Sequence, residues 1–315
     1  PNKLEIDTTA NSNISLGTNS TGMYLVNAEK LNTAAGGTIQ SSANATNNFG
    51  IYAINGKVDV PTTGTPAEIA EANAYNNKND NFKTLTMTNN SNITLGNGSV
   101  GIYTRGQSDA ARNTVTNDGN ITVGDNLTGA PAVGIYAENT NLTQGDTGTP
   151  DITVGEKGIA LYGKNSTVEA KGTVNYTNKG ILGYFEDSTF ISHYGNLTAH
   201  QNTILFLKNS TANMNGAGAD IDITVPDKAT TDSFAGVYVE GTSTLNGVKK
   251  ITVGENSNGI FMKNATFTSN VTDIESTKEG AKGLLAVESD LTNNSKITLS
   301  GDSSIGIYSD ASNAK

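Results

Sequence analysis

Apolar and polar residues alternate along this chain in short runs, and the runs return in a fixed order. One run is Gly, then an aliphatic residue, then an aromatic: Gly22-Met23-Tyr24, Gly50-Ile51-Tyr52, Gly101-Ile102-Tyr103, Gly134-Ile135-Tyr136, Gly236-Val237-Tyr238, Gly259-Ile260-Phe261 and Gly306-Ile307-Tyr308. Looser copies end at Tyr162, Tyr184, Phe206 and Leu285. Three residues later comes Asn, Asp or Gly, as at Asn27, Asn139, Asp187 and Gly241, until Glu288 and Ala311 depart from the pattern. Aligned on the aromatic, the tightest copies lie 22 to 24 residues apart, and the others carry insertions.

Each period predicts three short strands. The first is the Ile-Thr-Val type, as in Ile121-Thr122-Val123 and Ile251-Thr252-Val253. The second carries the aromatic, and the third follows the Asn corner, as in Ser188-Thr189-Phe190. All three alternate with period two, the mark of a strand buried on one side. Gly and Asn at the corners supply the left-handed backbone that a tight bend needs. Three strands in 22 to 24 residues, repeated about eleven times, predict an all-β fold: a parallel β-helix forming a single unit over 1–315. The general rule for parallel crossovers makes it right-handed.

The residues on either side of the aromatic are mainly apolar or small, so they point inward and the aromatic column points outward. Stacked rings can hold a parallel sheet together, or offer a partner flat area at low entropic cost. Two residues on, a second outward column reads Arg105, Glu138, Lys164, Glu186, Lys208, Glu240, Lys263, alternating in sign. A slipped register would bring like charges together, so the column polices register. The corner Asn residues are expected to stack inward as an amide ladder. The outward threonines Thr94, Thr122, Thr153, Thr224, Thr252 and Thr298 form a further ladder, as on ice-binding solenoids, but with one Thr per turn on a face that insertions interrupt.

Composition sharpens this picture. Only 35% of residues are hydrophobic and 16% charged, with 35 Gly, so a thin repeated core fits better than one thick one. The net charge is −10 and Arg105 and Arg112 are the only arginines, which excludes nucleic acid as a partner. With no Cys, disulfides and thiol chemistry are excluded. That absence suits an exported chain that stays unfolded in transit, although a cytosolic protein could share it. No signal peptide is evident, and the chain reads as a segment of something longer.

Insertions on a rigid coil are where recognition is usually carried. The longest spans 61–81 and predicts a short helix from Pro66, with acids near its N-terminus. Shorter ones span 125–133, 143–151 and 226–235. Candidate ligand-binding residues are therefore Glu68, Glu71, Tyr75 and Lys78 in the long insertion, with Tyr52, Tyr103 and Tyr136 on the adjoining aromatic face. Catalytic clusters are hard to find. His193 and His200 have no carboxylate in evident register, and Asp220 and Asp222 lie two apart without a partner in the next turn. No metal or cofactor motif occurs, and no enzyme activity is expected.

The phrases ITLGNGSVGIY, ITVGENSNGIF and GIALYGKNSTV resemble repeats in the passenger regions of type V autotransporters, particularly the very large fusobacterial outer-membrane adhesins of the RadD and Fap kind. The resemblance covers nearly the whole chain. It implies display on the outer face of the outer membrane by a C-terminal β-barrel translocator. It also implies attachment to host cells, or coaggregation with other bacteria, through a surface protein or glycan. A monomer is expected. Two other readings stay open at this point: a stalk that holds a distal tip away from the membrane, and a carbohydrate-active β-helix enzyme using Asp220 or Asp222.

Overall fold

A computed structural model describes residues 5–42, 44–57, 60, 63, 65–78, 83–176, 179–228, 234–310 and 313–314. The chain winds as a three-sided parallel β-helix in which each strand pairs with the strand one turn away. The aromatic column is in register along its whole length: Tyr24, Tyr52, Tyr103, Tyr136, Tyr162, Tyr184, Phe206, Tyr238, Phe261, Leu285 and Tyr308 are successive partners. The aromatic strands and the strands after the corner belong to one 21-stranded sheet. It is continuous because Ala235–Asn246 and Asn258–Ser269 run through the corner from one face to the next.

The core is a narrow stack. Ile51, Ile102, Ile135, Leu161, Leu205 and Val237 on one side of the aromatic column, and Ala53, Ala137, Phe185, Leu207 and Val239 on the other, are sealed from solvent. One turn departs from the pattern by compensation. A Cβ on Gly183 would run into the Phe185 ring, and one on Gly163 would lie 2.9 Å from it. Two glycines therefore make room for a Phe that stacks on Phe190 at 4.4 Å.

The corners bend by left-handed backbone. Asn27, Asn139, Asn165, Asp187, Asn209 and Asn264 have φ of 48° to 52°, and Glu288 keeps the same bend at 49°. Asn and Asp tolerate this region best among residues with a side chain. Ala311 lies outside the described residues. The inward amide ladder expected here forms elsewhere. At the end of the third strand the buried Asn89 Nδ2 donates to Asn117 Oδ1 (2.6 Å), and Asn117 Nδ2 donates to Gln144 Oε1 (2.8 Å). Hydroxyls do the inward work just after the Asn corner. The backbone N–H of Ser166 donates to Ser188 Oγ, that of Ser188 to Ser210 Oγ, and that of Ser210 to Ser243 Oγ, at 3.0 to 3.1 Å. Each of these hydroxyls satisfies a donor that the corner would otherwise bury unpaired.

The third face is interrupted. Its Ile-Thr-Val strands form a six-stranded sheet ending at Thr173–Asn175 and a five-stranded sheet beginning at Leu197–Thr198, with no strand pairing between them among the described residues. The reason lies in the second residue of the aromatic strand. It is Gly in Gly22, Gly50, Gly101 and Gly134, and a Cβ on Gly134 would sit 2.5 Å from the Ala160 carbonyl oxygen and 2.6 Å from Ile152 Cγ2. In the next three turns this position holds Ala160, Leu182 and Ile204 before Gly returns at Gly236, as the flanking register shows. Leu182 instead lines a cleft of about 290 Å³ between the parted strands, with Val174, Tyr176, Tyr194 and Leu197.

Candidate ligand-binding face

Seven turns of the aromatic column form one pile of rings. Centroid separations from Tyr52 to Tyr103, Tyr136, Tyr162, Tyr184, Phe206 and Tyr238 are 4.7, 4.8, 4.5, 4.8, 4.3 and 4.6 Å, with interplanar angles of 5° to 13°. Tyr24 stacks on Tyr52 at 5.3 Å and is 65% exposed. Parallel strands space side chains by about 4.8 Å, close to the offset-stacking distance of rings, so the ladder geometry itself brings the rings into contact. At Phe261 the pile breaks: its ring meets Tyr238 at 86°. Phe49 packs edge-on against Tyr52 and Tyr103.

Burial in the pile raises the phenol pKa values. The Tyr162 hydroxyl is pushed up to about 12, first by burial and then by its neighbours Tyr184 and Glu186. Tyr136 is raised further, by burial and then by Glu138, and Tyr184 is raised by burial and Glu186. Tyr238 reaches about 12 through burial and its hydrogen bond to Glu240 Oε1. These rings therefore present neutral hydroxyls at physiological pH.

The charged column runs beside the pile. Glu138 is in register with Arg105 and Lys164, and Glu186 with Lys164 and Lys208. Lys164 Nζ lies 3.2 Å from Glu138 and Lys208 Nζ lies 2.8 Å from Glu186. The alternation stops before Lys263, because a bulge between Val239 and Gly241 shifts the register there. The Thr column is also mixed: Asn175 follows Thr153, and Glu275 stands between Thr252 and Thr298.

The candidate residues divide into two groups. Tyr52, Tyr103 and Tyr136 come together as consecutive rings. The long insertion leaves the coil after the corner residue Asn55, whose Nδ2 donates to the carbonyls of Ala28 and Lys83 and so ties the base of the insertion. Its helix, Pro66–Lys78, starts with a capping box. The Thr65 N–H and hydroxyl both donate to Glu68 Oε2, at 2.7 and 2.9 Å, and the Glu68 N–H donates back to Thr65 Oγ1 at 3.3 Å. Those bonds hold the Glu68 carboxyl below its ordinary pKa. Glu68 is thus engaged as a cap, whereas Glu71 is exposed. Ile69, Ala72 and Asn76 form the half-buried stripe of the helix. Tyr75 and Lys78 lie on the helix, but their side chains lie outside the described residues, as do positions 61, 62, 64 and 79–81 of the insertion and 229–233 of the last one.

One partnership escaped the sequence reading. His193 does have a carboxylate: its Nε2 lies 2.9 Å from Glu169 Oε1, one turn back, where Lys171 joins at 3.3 Å. The register Glu169↔Ile191 places His193 two positions past the partner of Glu169, a diagonal that column alignment misses. Asp222 faces Lys250 across the ladder, and Asn215 Nδ2 donates to Asp220. Among the described residues, no three His, Asp or Glu side chains gather in a metal-binding arrangement. Nor, among them, is any helix long and apolar enough to cross a membrane.

The chain is 29% identical over 177 residues to the protein named Probable autotransporter YcgV of Escherichia coli (strain K12). The chain fits an autotransporter passenger. The match takes in 49% of this chain and spans 17% of the length of that relative, and the parallel β-helix agrees with it. It gives no support for the fusobacterial subgroup in particular. No protein-family model and no solved structure matches the chain.

Proposed function

We propose that this chain is part of an autotransporter adhesin passenger, displayed on the outer face of the cell and attaching it to host or bacterial surfaces through protein or glycan ligands. The observation that carries this reading is the outward pile of rings from Tyr24 to Tyr238. Its strands are bordered by insertions, with 125–133 and 226–235 entering the aromatic strands and 61–81 leaving one. Flat rings with neutral hydroxyls favour sugar rings and aromatic side chains alike. In the parent protein a C-terminal β-barrel would serve as translocator, and the net charge of −10 would keep the passenger clear of an anionic cell surface. Action is by binding, without catalysis or cofactor.

The test is to replace residues 62–80 by a short Gly-Ser link, and separately to replace Tyr52, Tyr103 and Tyr136 together by Ser. Coaggregation and host-cell adherence are then measured with the protein displayed. Loss of adherence in either variant, with display unchanged, is the expected result; undiminished adherence in both removes these residues from the binding face. A stalk is the second reading, favoured by the uninterrupted 22-residue steps from Tyr162 through Tyr184 to Phe206. A purified chain that binds no cell and no glycan would select it.

A further inference from the structure

The outer face changes character where the ring pile breaks. In the column three residues before the aromatic, successive turns carry Phe49, Val100, Val133, Ile159 and Ile181, an apolar shelf beside the rings. The same column then reads Thr203, Ala235, Asn258 and Lys282 before Ile305 restores it. A hydroxyl, a small side chain, an amide and a cation thus replace the shelf in four adjacent turns. In those turns Phe261 abandons the parallel stack and meets Tyr238 at 86°.

These substitutions open a cleft of about 330 Å³, bordered by Lys228, Tyr238, Asn256, Asn258, Phe261 and Lys282. Lys228 comes from the insertion 226–235, and its N–H donates to the Glu255 carbonyl at 2.9 Å. Lys282 is tied the same way to the Ser257 carbonyl at 2.9 Å. Several outward lysines elsewhere are spent on carboxylates: Lys164 on Glu138, Lys208 on Glu186, Lys250 on Glu275 and Lys278 on Asp227. Among the described residues, neither Lys228 nor Lys282 has a carboxylate within ion-pair distance. The nearby Asp227 is already committed, accepting from the Glu255 N–H at 2.8 Å and from Lys278 Nζ at 3.2 Å. Asn258 Nδ2 donates to the Phe234 carbonyl at 3.0 Å, which leaves Oδ1 and the second Nδ2 hydrogen for a ligand.

We propose that this cleft is a binding site for a carboxylated sugar residue. The apolar face of a pyranose ring would lie on Tyr238 and Phe261. Asn256 and Asn258 would exchange hydrogen bonds with its hydroxyls, and the two ammonium groups would hold the carboxylate by charge-assisted bonds. A free sheet edge or a long groove would suit an extended peptide. Here instead the site is a short pocket four turns tall on the face of a continuous sheet, sized for one or two rings. The proposal rests on the adhesive reading and names the class of ligand it would take.

The test uses the whole chain and four probes: sialyllactose and a hyaluronan tetrasaccharide as two sources of a sugar carboxylate, lactose as a neutral sugar, and hexaglutamate as an acidic peptide. Binding is followed by titration calorimetry and by ligand-observed nuclear magnetic resonance. Binding of one or both carboxylated sugars, with lactose and hexaglutamate inert, is expected, and which one binds identifies the source. Lys228→Ala and Lys282→Ala should each weaken that binding by roughly tenfold. Lys249→Ala, an exposed lysine outside the cleft that makes the same charge change, should leave it intact. Circular dichroism of each variant checks the fold. The proposal is overturned if neither carboxylated sugar binds, if lactose or hexaglutamate binds as well, or if the two lysine variants bind like the parent. Should cells still adhere to the purified chain when these sugars do not bind, only the cleft assignment fails. Should neither cells nor sugars bind, the adhesive reading falls with it.

Discussion

The aromatic face and the Ile-Thr-Val face are built from the same eleven turns, yet one is a single unbroken ladder and the other is split in two. Both have strongly β-prone strands, so strand propensity does not explain the difference. It arises at the corner between them. Where that corner holds Gly, the aromatic strand lies against Ile of the neighbouring face at near-contact distance, as Gly134 does against Ile152. Where it holds Leu182 and Ile204, the side chains need that space and the third face parts. The aromatic face has no such weak point, because its outward rings and inward aliphatics are both tuned to the spacing between turns. In a solenoid, then, continuity is decided face by face, by whichever column has the least tolerance for volume.

The sharpest way to break this comparison is to move the defect. Gly134→Leu puts a branched side chain against Ile152 and the Ala160 backbone in a closed part of the coil. It should destabilise by about 3 kcal/mol or more, at the top of the range for overpacking. A lowered denaturant midpoint would show this, whereas an unchanged midpoint would mean that the Gly column is not what keeps the third face shut. A smaller effect is expected from Ser188→Ala. It strands the Ser166 N–H inside the corner and should cost about 1–3 kcal/mol. Loss of hydrogen-exchange protection at Ser166, with Ser188 and Ser210 unchanged, is the accompanying signature.

The mildest probe is alkaline pH. The pile keeps the Tyr162 and Tyr238 phenols neutral, with pKa values pushed up to about 12, against about 10 in an unfolded chain. Their contribution is complete below about pH 10 and disappears as pH climbs through about 12, since the unfolded state loses its phenolic protons first. Thermal unfolding temperatures should therefore fall across that window. Tyr162→Phe should flatten the fall while leaving stability at neutral pH nearly unchanged. Should the parent and this variant respond alike, the rings are not shielded by stacking.

Much of this was legible in the sequence because its period exposes columns directly. The Tyr column, the inward aliphatics on either side and the alternation from Arg105 to Glu240 need only alignment on one residue. The parting of the third face was less legible. It depends on Leu182 and Ile204 being too large for a space that Gly leaves against Ile side chains on another strand, so no single column announces it. The corner amides misled for a related reason. Asn at a corner satisfies either a left-handed backbone or an inward side-chain ladder, and the next residue, Ser, already provides the inward hydrogen bond. The pairing of His193 with Glu169 runs diagonally between turns, which direct alignment does not sample. Of the candidate site residues, the three tyrosines were set by the period, whereas Glu68 turned out to serve its own helix as a cap.

The alternating charges have a further consequence for how such a rod can change length. Excising one whole turn, residues 159–180 for instance, would leave the aromatic column matched but would seat Glu138 beside Glu186. Excising two adjacent turns would restore opposite neighbours, with Glu138 beside Lys208. Sign parity thus makes a pair of turns, about 44 residues here, the natural quantum by which this stretch can be duplicated or deleted without penalty.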